Sequence, residues 1–430
     1  MDIDSLNPGD SKLATLRAQA ADGSPEAEYR LGLALVDRIQ LDEALSVYER
    51  AANHGHPGAQ VQLARMRLYG VVCDRDPEVA VRWLQRAESE AGDVMAGYLL
   101  ALIALGGVAL PRSQEINRRV LAAARAEYPP ALLAAAIHFG RKPNDADQAR
   151  CMRLLELATR LGEATAGRLL LERLRRGEGC EAQPERAAQL AQMLATQHVT
   201  PLARAIAPAP ASTVDFGEPG VLALEEALHP APSTELSQRP HVLQIDRLLS
   251  ADECRLLMAS AQPHLRRSRA VNPETGESVV LEIRTSSDCS LDPMMESLAV
   301  RMVQLRMASS AKVELVHAEP LTVLRYQPGE QYRPHRDYAA PSAIERDSPE
   351  SGNRRRTICA YLNDVDAGGE TEFPVAGITV APVPGRAIVF DNLHADGRPD
   401  PDSLHAGLPV QQGEKWLATL WLRERRYRSY

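Results

Sequence analysis

Hydrophobic and polar positions divide the chain into two parts with different periodicities. From residue 10 to residue 199, Ala and Leu recur at helical spacing among Arg and Glu, and runs typical of strands are almost absent. Related hexapeptides recur in this part: A-E-Y-R-L-G at Ala27–Gly32, A-Q-V-Q-L-A at Ala59–Ala64 and A-G-Y-L-L-A at Ala96–Ala101. This first part is therefore predicted to be helical and internally repeated.

The repeat period indicates how these helices are arranged. Ala51, Ala87 and Ala123 follow one another at intervals of 36 residues. A period of this length, with small residues where paired helices approach closely, is typical of a helix-turn-helix solenoid. We predict an all-α repeat domain over residues 10–199 whose groove binds a peptide or a partner protein. A scaffold that only stabilises or dimerises the rest of the chain is the alternative.

The pattern changes twice after the repeats. Residues 200–238 are rich in Pro, Ala and Ser, which predicts a linker with room for one short helix at 220–229. Residues 239–428 carry short β-rich runs between Gly, Pro, Asn and Asp turns, which predict a barrel-like double sheet. A capping box at Ser250–Glu253 and a cap at Asp292 predict two flanking helices.

Length, charge and cysteine spacing narrow the class of protein. A chain of 430 residues is long enough for two cores. The net charge of −8 gives no general attraction to nucleic acid or to an anionic membrane, and no apolar run is long enough to span a bilayer. The acidic N-terminus lacks the features of a signal peptide, and the six scattered cysteines form no C-x-x-C pair. We therefore expect a cytoplasmic protein with no nucleic-acid or membrane partner.

The strand predicted to end at Asp337 carries the candidate chemistry. Alternation along a strand places His335 and Asp337 on one face, where they can supply two ligands to one metal ion. A later histidine, His405, completes the two-histidine, one-carboxylate set that binds Fe(II) in non-haem oxygenases. The triplet alone is a weak signal, because a pair of polar surface residues has the same pattern. A second copy, His394–Asp396, is interpreted as a loop without a metal role.

Several ordered motifs surround these residues. They are Y-x-x-G at Tyr326–Gly329, P-H-x-D at Pro334–Asp337, Y-L-N-D-V at Tyr361–Val365, G-G-E-T-x-F-P at Gly368–Pro374, H-A-G-x-P-V at His405–Val410 and G-x-K-W at Gly413–Trp416. Together they resemble the Fe(II)- and 2-oxoglutarate-dependent dioxygenases of the prolyl 4-hydroxylase (alpha-subunit-like) family, which implies a double-stranded β-helix, or jelly roll. The first part of the chain resembles Sel1-like repeats, relatives of the tetratricopeptide family. The expected fold is α+β and multidomain.

This resemblance implies a metal and a co-substrate. His335, Asp337 and His405 would be the catalytic ligands of Fe²⁺, with iron inferred from the family rather than from the ligand types. The far carboxylate of 2-oxoglutarate would be buried, and burying an unpaired charge is costly. Lys415 stands in the family's position for the cation that offsets this cost. Ascorbate is the reductant that the resemblance implies.

The resemblance also implies residues that contact the two substrates. Tyr326 and Thr371 occupy positions that hydrogen-bond the co-substrate in the family, and Thr357 is a further, lesser candidate for this contact. The positions that match the peptide groove of the family are Arg284, Ser286, Tyr332, Arg354 and Trp421. The alternative for these five is an ordinary structural role, such as Trp421 in the core and Arg354 in solvent.

The leading hypothesis is a dioxygenase that hydroxylates a prolyl residue in a peptide or protein recruited by the repeats. Two alternatives are the same chemistry on another side chain or a free small molecule, and a catalytically silent interaction scaffold.

Overall fold

A computed structural model describes residues 8–202, 218–268, 270–271, 278–279 and 283–430. Residues 203–217 of the predicted linker lie outside this described part, as does the segment Asn272–Gly276, whose Asn, Pro and Gly residues predict a hairpin turn. The helices are α1 (Pro8–Ala20), α2 (Pro25–Val36), α3 (Leu41–Asn53), α4 (Pro57–Tyr69), α5 (Pro77–Ala91), α6 (Val94–Gly106), α7 (Glu115–Arg125), α8 (Pro129–Gly140), α9 (Asp145–Arg160), α10 (Ala164–Arg176), α11 (Pro184–Thr196), α12 (Ala251–Ala261), α13 (Leu298–Ser310) and α14 (Pro341–Asp347).

The strands begin where the linker ends. They are β1 (Thr234–Gln238), β2 (His241–Ile245), β3 (Arg266–Arg267), β4 (Ala270–Val271), β5 (Ser278–Val279), β6 (Ser287–Leu291), β7 (Leu321–Tyr326), β8 (Tyr332–His335), β9 (Arg354–Tyr361), β10 (Ala367–Gly368), β11 (Thr371–Phe373), β12 (Ile378–Val380), β13 (Ala387–Asp391), β14 (His405–Gly407), β15 (Val410–Gln412) and β16 (Lys415–Arg423). A single 3-10 turn at Leu224–Leu228 occupies the short helix predicted for the linker.

Two compact units make up the chain, Met1–Tyr128 with Tyr430, and Pro129–Ser429. The division falls within the helical part rather than at its predicted end at residue 199. The sequence-defined bounds 10–199, 200–238 and 239–428 stay a prediction. The last four repeat helices, α8 to α11, belong to the same compact unit as the strands.

The first unit contains helices α1 to α7 and confirms the predicted helical repeats. Consecutive helices pack as pairs around an apolar core that includes Leu31, Val47 and Leu63. Gly32 explains why small residues recur, because a Cβ at this position would overlap the ring of Tyr48 on the next helix. The repeated small residues thus set how closely paired helices approach.

The second unit adds a jelly roll to the last repeats and confirms the predicted fold class. The two larger sheets have eight strands in the order β1-β2-β13-β9-β16-β7-β6-β3 and four strands in the order β12-β11-β14-β8, and two further sheets of two strands each are β10-β15 and β4-β5. All pairs are antiparallel. Side chains of both larger sheets, including Leu324, Tyr361 and Phe373, meet in one apolar core. This core surrounds the inner end of the site described below.

The helices predicted after the linker are present, with one change of boundary. Ser250 and Glu253 form the predicted capping box at the start of α12. The second helix begins at Leu298 behind the cap Ser297 rather than at Asp292. The Asp292 carboxylate instead accepts from backbone N–H groups in a turn at residues 294 and 295. Its capping chemistry was predicted correctly, but it closes a turn and not a helix.

Among the described residues, no single helix is long and apolar enough to cross a bilayer. The bent pair formed by α7 and α8 reaches the required length and apolar composition only when the two helices are taken together.

Buried ion pairs join α10 to α12 inside the second unit. Asp252, only 2% exposed, accepts from the Arg173 guanidinium at 2.5 and 2.8 Å and from Arg255 at 3.2 Å. Burial alone would raise the pKa of Asp252, but the two guanidinium groups hold that pKa below its ordinary value. Arg255 also holds Glu178, just beyond α10, at 2.6 and 2.7 Å.

Asp252→Asn tests whether these ion pairs hold the last repeats to the jelly roll. Removing one partner of a buried pair leaves uncompensated charge, so we expect the free energy of unfolding to fall by about 3–5 kcal/mol in chemical denaturation. Asp246→Asn is the matched control, because the exposed Asp246–Arg386 pair should contribute at most about 1 kcal/mol. Equal losses in the two variants would contradict the assignment.

Candidate active site

Pairing of β8 with β14 brings the three predicted ligand residues together. His335 and His405 are direct partners across these strands, and Asp337 follows the end of β8. The Oδ1 atom of Asp337 lies 3.6 Å from His335 Nε2 and 3.9 Å from His405 Nε2. One ligand atom from each of the three residues falls within 4.8 Å of the others, and no other such cluster of His, Cys, Asp and Glu occurs among the described residues.

Backbone carbonyls orient both imidazoles. Nδ1 of His335 lies 2.8 Å from the carbonyl oxygen of Arg333, and Nδ1 of His405 lies 2.9 Å from that of Ser403. A carbonyl only accepts, so each Nδ1 carries the proton and donates it. The lone pair of each Nε2 is then free to point at the centre, which is the tautomer that a metal ligand needs.

The protonation states of the site suit a divalent cation. Burial, together with repulsion from His405, lowers the pKa of His335 to about 3, so this imidazole is neutral near pH 7. Burial alone would raise the pKa of Asp337, but attraction to His405 and His335 holds that pKa below its ordinary value. A neutral imidazole nitrogen of His335 and an ionised carboxylate oxygen of Asp337 therefore converge at the position where a cation would bind.

A hydroxyl and an amide stand behind the carboxylate. Thr357 on β9 donates from Oγ1 to Oδ2 of Asp337 at 2.7 Å. Asn392, just after β13, donates from Nδ2 to the same Thr357 oxygen at 2.8 Å. Sequence reasoning considered Thr357 only as a minor contact to the co-substrate and missed Asn392 altogether. No local pattern marks either residue, because three non-adjacent segments meet here.

The cluster opens into a pocket between the two larger sheets. Its lining comprises Arg284, Leu324, Tyr326, Tyr332, His335, Asp337, Cys359, Thr371, His405, Gly407, Lys415, Leu417, Thr419 and Trp421. Four of these residues are alternate positions of β16, beginning at Lys415, which is what strand geometry requires of one face. The same alternation would have identified Thr419, which sequence reasoning missed.

Lys415 places a cation at the inner end of the pocket. Its side chain is 2% exposed, and its Nζ lies 5.3 Å from the Tyr326 ring centre and 5.5 Å from that of Tyr361. Within the part of the chain that the structure describes, no carboxylate lies within ion-pair distance of this amine. Burial lowers the pKa of Lys415 from 10.5 to about 8. A buried ammonium group that lacks a protein counter-ion provides a binding site for an anion.

Tyr326 and Thr371, the other predicted co-substrate residues, line the same pocket. Thr371 is paired with Gly407, so it stands beside the strand that carries His405. The Tyr361 hydroxyl donates to Thr371 Oγ1 at 2.7 Å, which fixes the orientation of that side chain. Gly407 leaves room near the amine, because a Cβ there would lie 3.8 Å from Lys415 Nζ.

Three of the five predicted peptide-groove residues line the pocket. They are Arg284, Tyr332 and Trp421. The Tyr332 ring stacks on the imidazole of His335 with ring centres 3.3 Å apart, and the Arg284 guanidinium lies 5.3 Å from the Tyr332 ring centre. Trp421 belongs to the pocket wall rather than to the closed core.

The other two, Ser286 and Arg354, stand behind the wall. Ser286 is fully buried and hydrogen-bonds Ser268 at 2.8 Å. Arg354 stacks on Trp421, with its guanidinium carbon 4.0 Å from the ring centre, and donates to both carboxylate oxygens of Glu319 at 2.7 and 2.8 Å. Arg354 is therefore held in an ion pair and is not a solvated side chain.

Known sequences match both parts of the chain. The profile of the 2OG-Fe(II) oxygenase superfamily matches residues 321–423, and that of the Sel1 repeat matches residues 25–56, 57–90 and 172–199. Prolyl 4-hydroxylase 1 of Arabidopsis thaliana is 36% identical over 205 residues, which cover 44% of this chain and 71% of that protein. Prolyl 4-hydroxylase subunit alpha-1 of Homo sapiens is 34% identical over 204 residues, covering 46% of this chain and 37% of that protein.

Among solved structures, the viral collagen prolyl hydroxylase of Paramecium Bursaria Chlorella virus-1 is 26% identical, with a TM-score of 0.34; the match covers 42% of this chain and 95% of that one. Jelly roll, ligand cluster and profile together define a 2-oxoglutarate-dependent dioxygenase. Within that class, the chain belongs to the prolyl 4-hydroxylase family and carries Sel1 repeats in front of the oxygenase. The residues fit the Fe²⁺ and 2-oxoglutarate that this family implies, because the nitrogen and oxygen atoms converge and the Lys415 ammonium lines the same pocket.

The depressed pKa of Lys415 predicts how 2-oxoglutarate affinity depends on pH. The amine loses its proton as the pH rises through about 8, so the affinity should be highest below that pH and fall by up to about tenfold per pH unit above it. Equilibrium binding of 2-oxoglutarate to the Mn²⁺-loaded protein between about pH 7 and about pH 10 measures this. Lys415→Met should bind weakly and lose this pH dependence. A wild-type affinity that stays constant across this range would contradict the role of the amine.

Proposed function

We propose that this chain hydroxylates prolyl residues of a peptide or protein, with Fe²⁺ and 2-oxoglutarate in the pocket and ascorbate as the reductant that keeps the iron ferrous. One observation carries the proposal. One ligand atom from each residue of the His-Asp-His cluster lies within 4.8 Å of the others, and the ammonium of Lys415, which has no ion-pair partner among the described residues, lines the same pocket. No single side chain of this set distinguishes an enzyme, but the combination provides for a metal and a dicarboxylate together.

Each residue of the set has a definite task in this proposal. His335, His405 and Asp337 Oδ1 would hold the metal on one side and leave the opposite side open. Lys415 would pair with the far carboxylate of 2-oxoglutarate, while the hydroxyls of Tyr326 and Thr371 hydrogen-bond it. When bound, iron and 2-oxoglutarate would supply the oxidising chemistry, with dioxygen as the oxidant: 2-oxoglutarate would lose carbon dioxide and take up one oxygen atom to give succinate, and the prolyl C–H bond would take up the other. The protein's contribution is to orient these groups and to exclude water from them.

The outer wall of the pocket suits a prolyl ring. Tyr332 stacks on His335 and Trp421 packs under Arg354, and the flat rings of both aromatic residues line the pocket that holds the ligand cluster. Such faces match the flat, apolar ring of proline. Arg284 brings a charged donor next to Tyr332, and the buried Ser286 supports it at 3.3 Å. Arg354 would act by holding Trp421 in place.

The repeats suit the recruitment of a protein target. A helical solenoid presents an extended surface, and Sel1 repeats fit a role in protein interaction. We therefore propose that the substrate is a protein segment rather than a free amino acid. The cytoplasmic location inferred from the sequence stays a prediction.

Two other functions are compatible with part of these observations. The same pocket could oxidise a different side chain or a small molecule, which changes the product but not the need for 2-oxoglutarate. A silent scaffold would not turn over 2-oxoglutarate at all. The product of the reaction therefore separates the three.

The direct test incubates the full-length chain with Fe²⁺, ascorbate, 2-oxoglutarate and a panel of proline-containing peptides. We expect succinate release coupled to a gain of one oxygen atom on a prolyl residue, located by fragment mass spectrometry. His335→Ala should abolish both signals, because it removes a ligand. Thr379→Val, an exposed residue on β12, is the control that should leave both unchanged.

Oxygen on a residue other than proline would support the alternative substrate. Succinate release without any modified peptide in the panel would count against a peptide substrate. Absence of both signals from a folded, metal-loaded protein would overturn the enzymatic proposal.

A further inference from the structure

We infer that Thr357 and Asn392 form a positioning pair that fixes the Asp337 carboxylate so that a single oxygen, Oδ1, faces the metal. The inference rests on the proposed metal site, and it concerns two residues that belong neither to the ligand cluster nor to the lining of the pocket. Both side chains are completely buried, at 0% exposure. Thr357 comes from β9, Asn392 from the end of β13, and Asp337 from the segment after β8.

The chemistry of the three groups fixes the direction of each hydrogen bond. The Thr357 hydroxyl donates to Asp337 Oδ2 at 2.7 Å, so the proton of this hydrogen bond belongs to the hydroxyl. With that proton committed to Asp337, the Thr357 oxygen can only accept from Asn392 at 2.8 Å. The Asn392 amide must therefore present its NH₂ group and not its oxygen. The two hydrogen bonds therefore run in one direction: the Asn392 amide donates to the Thr357 hydroxyl, and this hydroxyl donates to the Asp337 carboxylate.

The consequence for Asp337 is geometric. Thr357 occupies Oδ2, which leaves Oδ1 as the oxygen within 3.6 and 3.9 Å of the two Nε2 atoms. Without this hydrogen bond, rotation of the carboxylate could present both oxygens, and the metal position between the imidazoles would be less defined. Hydrogen bonds of this kind to a ligand are typically worth about 10–100-fold in metal affinity.

Asn392 carries a feature that packing alone does not explain. Its side-chain oxygen is buried and has no hydrogen-bond partner among the described residues. Leaving such an acceptor unsatisfied is destabilising. Its backbone is anchored on both sides, by a bond from its N–H to Arg355 at 2.9 Å and one from Asp400 to its carbonyl at 2.9 Å. The structure thus holds a costly amide rigidly in the one orientation that serves Thr357.

The test measures metal affinity and needs no turnover. Apo full-length protein is titrated with Mn²⁺, and free Mn²⁺ is followed by its EPR signal. We expect Thr357→Val, which keeps the shape and removes the hydroxyl, to weaken Mn²⁺ binding by about 10–100-fold. Thr357→Ser should restore most of the affinity, because it returns the hydroxyl. Thr379→Val makes the same change at an exposed position and should bind Mn²⁺ as the wild type does.

A double-mutant cycle tests the role of Asn392. If Asn392 acts through Thr357, Asn392→Leu alone should weaken Mn²⁺ binding severalfold, and the double variant should bind no worse than Thr357→Val. Additive losses would overturn the coupling between the two residues. If Thr357→Val does not fold, Thr357→Ser and Asn392→Leu decide instead, with a loss expected only in the second.

The result also separates this inference from the proposed function. Wild-type binding that His335→Ala removes and Thr357→Val leaves within about twofold would overturn the positioning pair and leave the metal site intact. A wild-type chain that does not bind Mn²⁺ would overturn the metal site and the positioning pair together.

Discussion

The site depends on the register between β8 and β14. Because His335 and His405 are direct cross-strand partners, both imidazoles stand on the inner face of the small sheet, within reach of Asp337. A slip of one residue would turn His405 to the opposite face and separate the ligands. Neighbouring strands hold this register, since β11 pairs with the other edge of β14 and places Thr371 opposite Gly407. The cluster is thus a property of the whole four-stranded sheet.

The large sheet supplies the second half of the site. Alternate residues of β16 face the pocket from Lys415 outward to Trp421, and β7 and β9 flank that strand. Putting an ammonium at the inner end costs stability when the pocket is empty, which is why its pKa falls to about 8. This cost makes sense if an anion completes the charge balance during function.

Much of this arrangement could be predicted from the sequence. The repeat period predicts the paired helices, and the β-rich runs between turns predict the double sheet. The ordered motifs around His335, Asp337 and His405 resemble those of one enzyme family and therefore predict that these three residues share a metal site. Short sequence motifs predicted the structure correctly where neighbouring residues alone determine it, as in the capping box that begins at Ser250. They failed at Asp292, where the same capping chemistry closes a turn instead of a helix.

Features made by distant segments could not be predicted. Arg173 and Asp252 form a buried ion pair across 79 positions of sequence, and it ties the last repeats to the jelly roll inside the second unit. Thr357 and Asn392 are 35 positions apart, and neither belongs to a recognisable spacing with Asp337. A period or a motif gives the type of element and its inward face, whereas these contacts depend on how elements pack against one another.

The most direct measurement is a crystal structure of the full-length chain grown without oxygen, with Mn²⁺ and 2-oxoglutarate bound. The account predicts one metal ion that contacts Nε2 of His335, Nε2 of His405 and Oδ1 of Asp337, with the far carboxylate of 2-oxoglutarate on Lys415 Nζ. A metal bound elsewhere, or a co-substrate whose far carboxylate points away from Lys415, would contradict it.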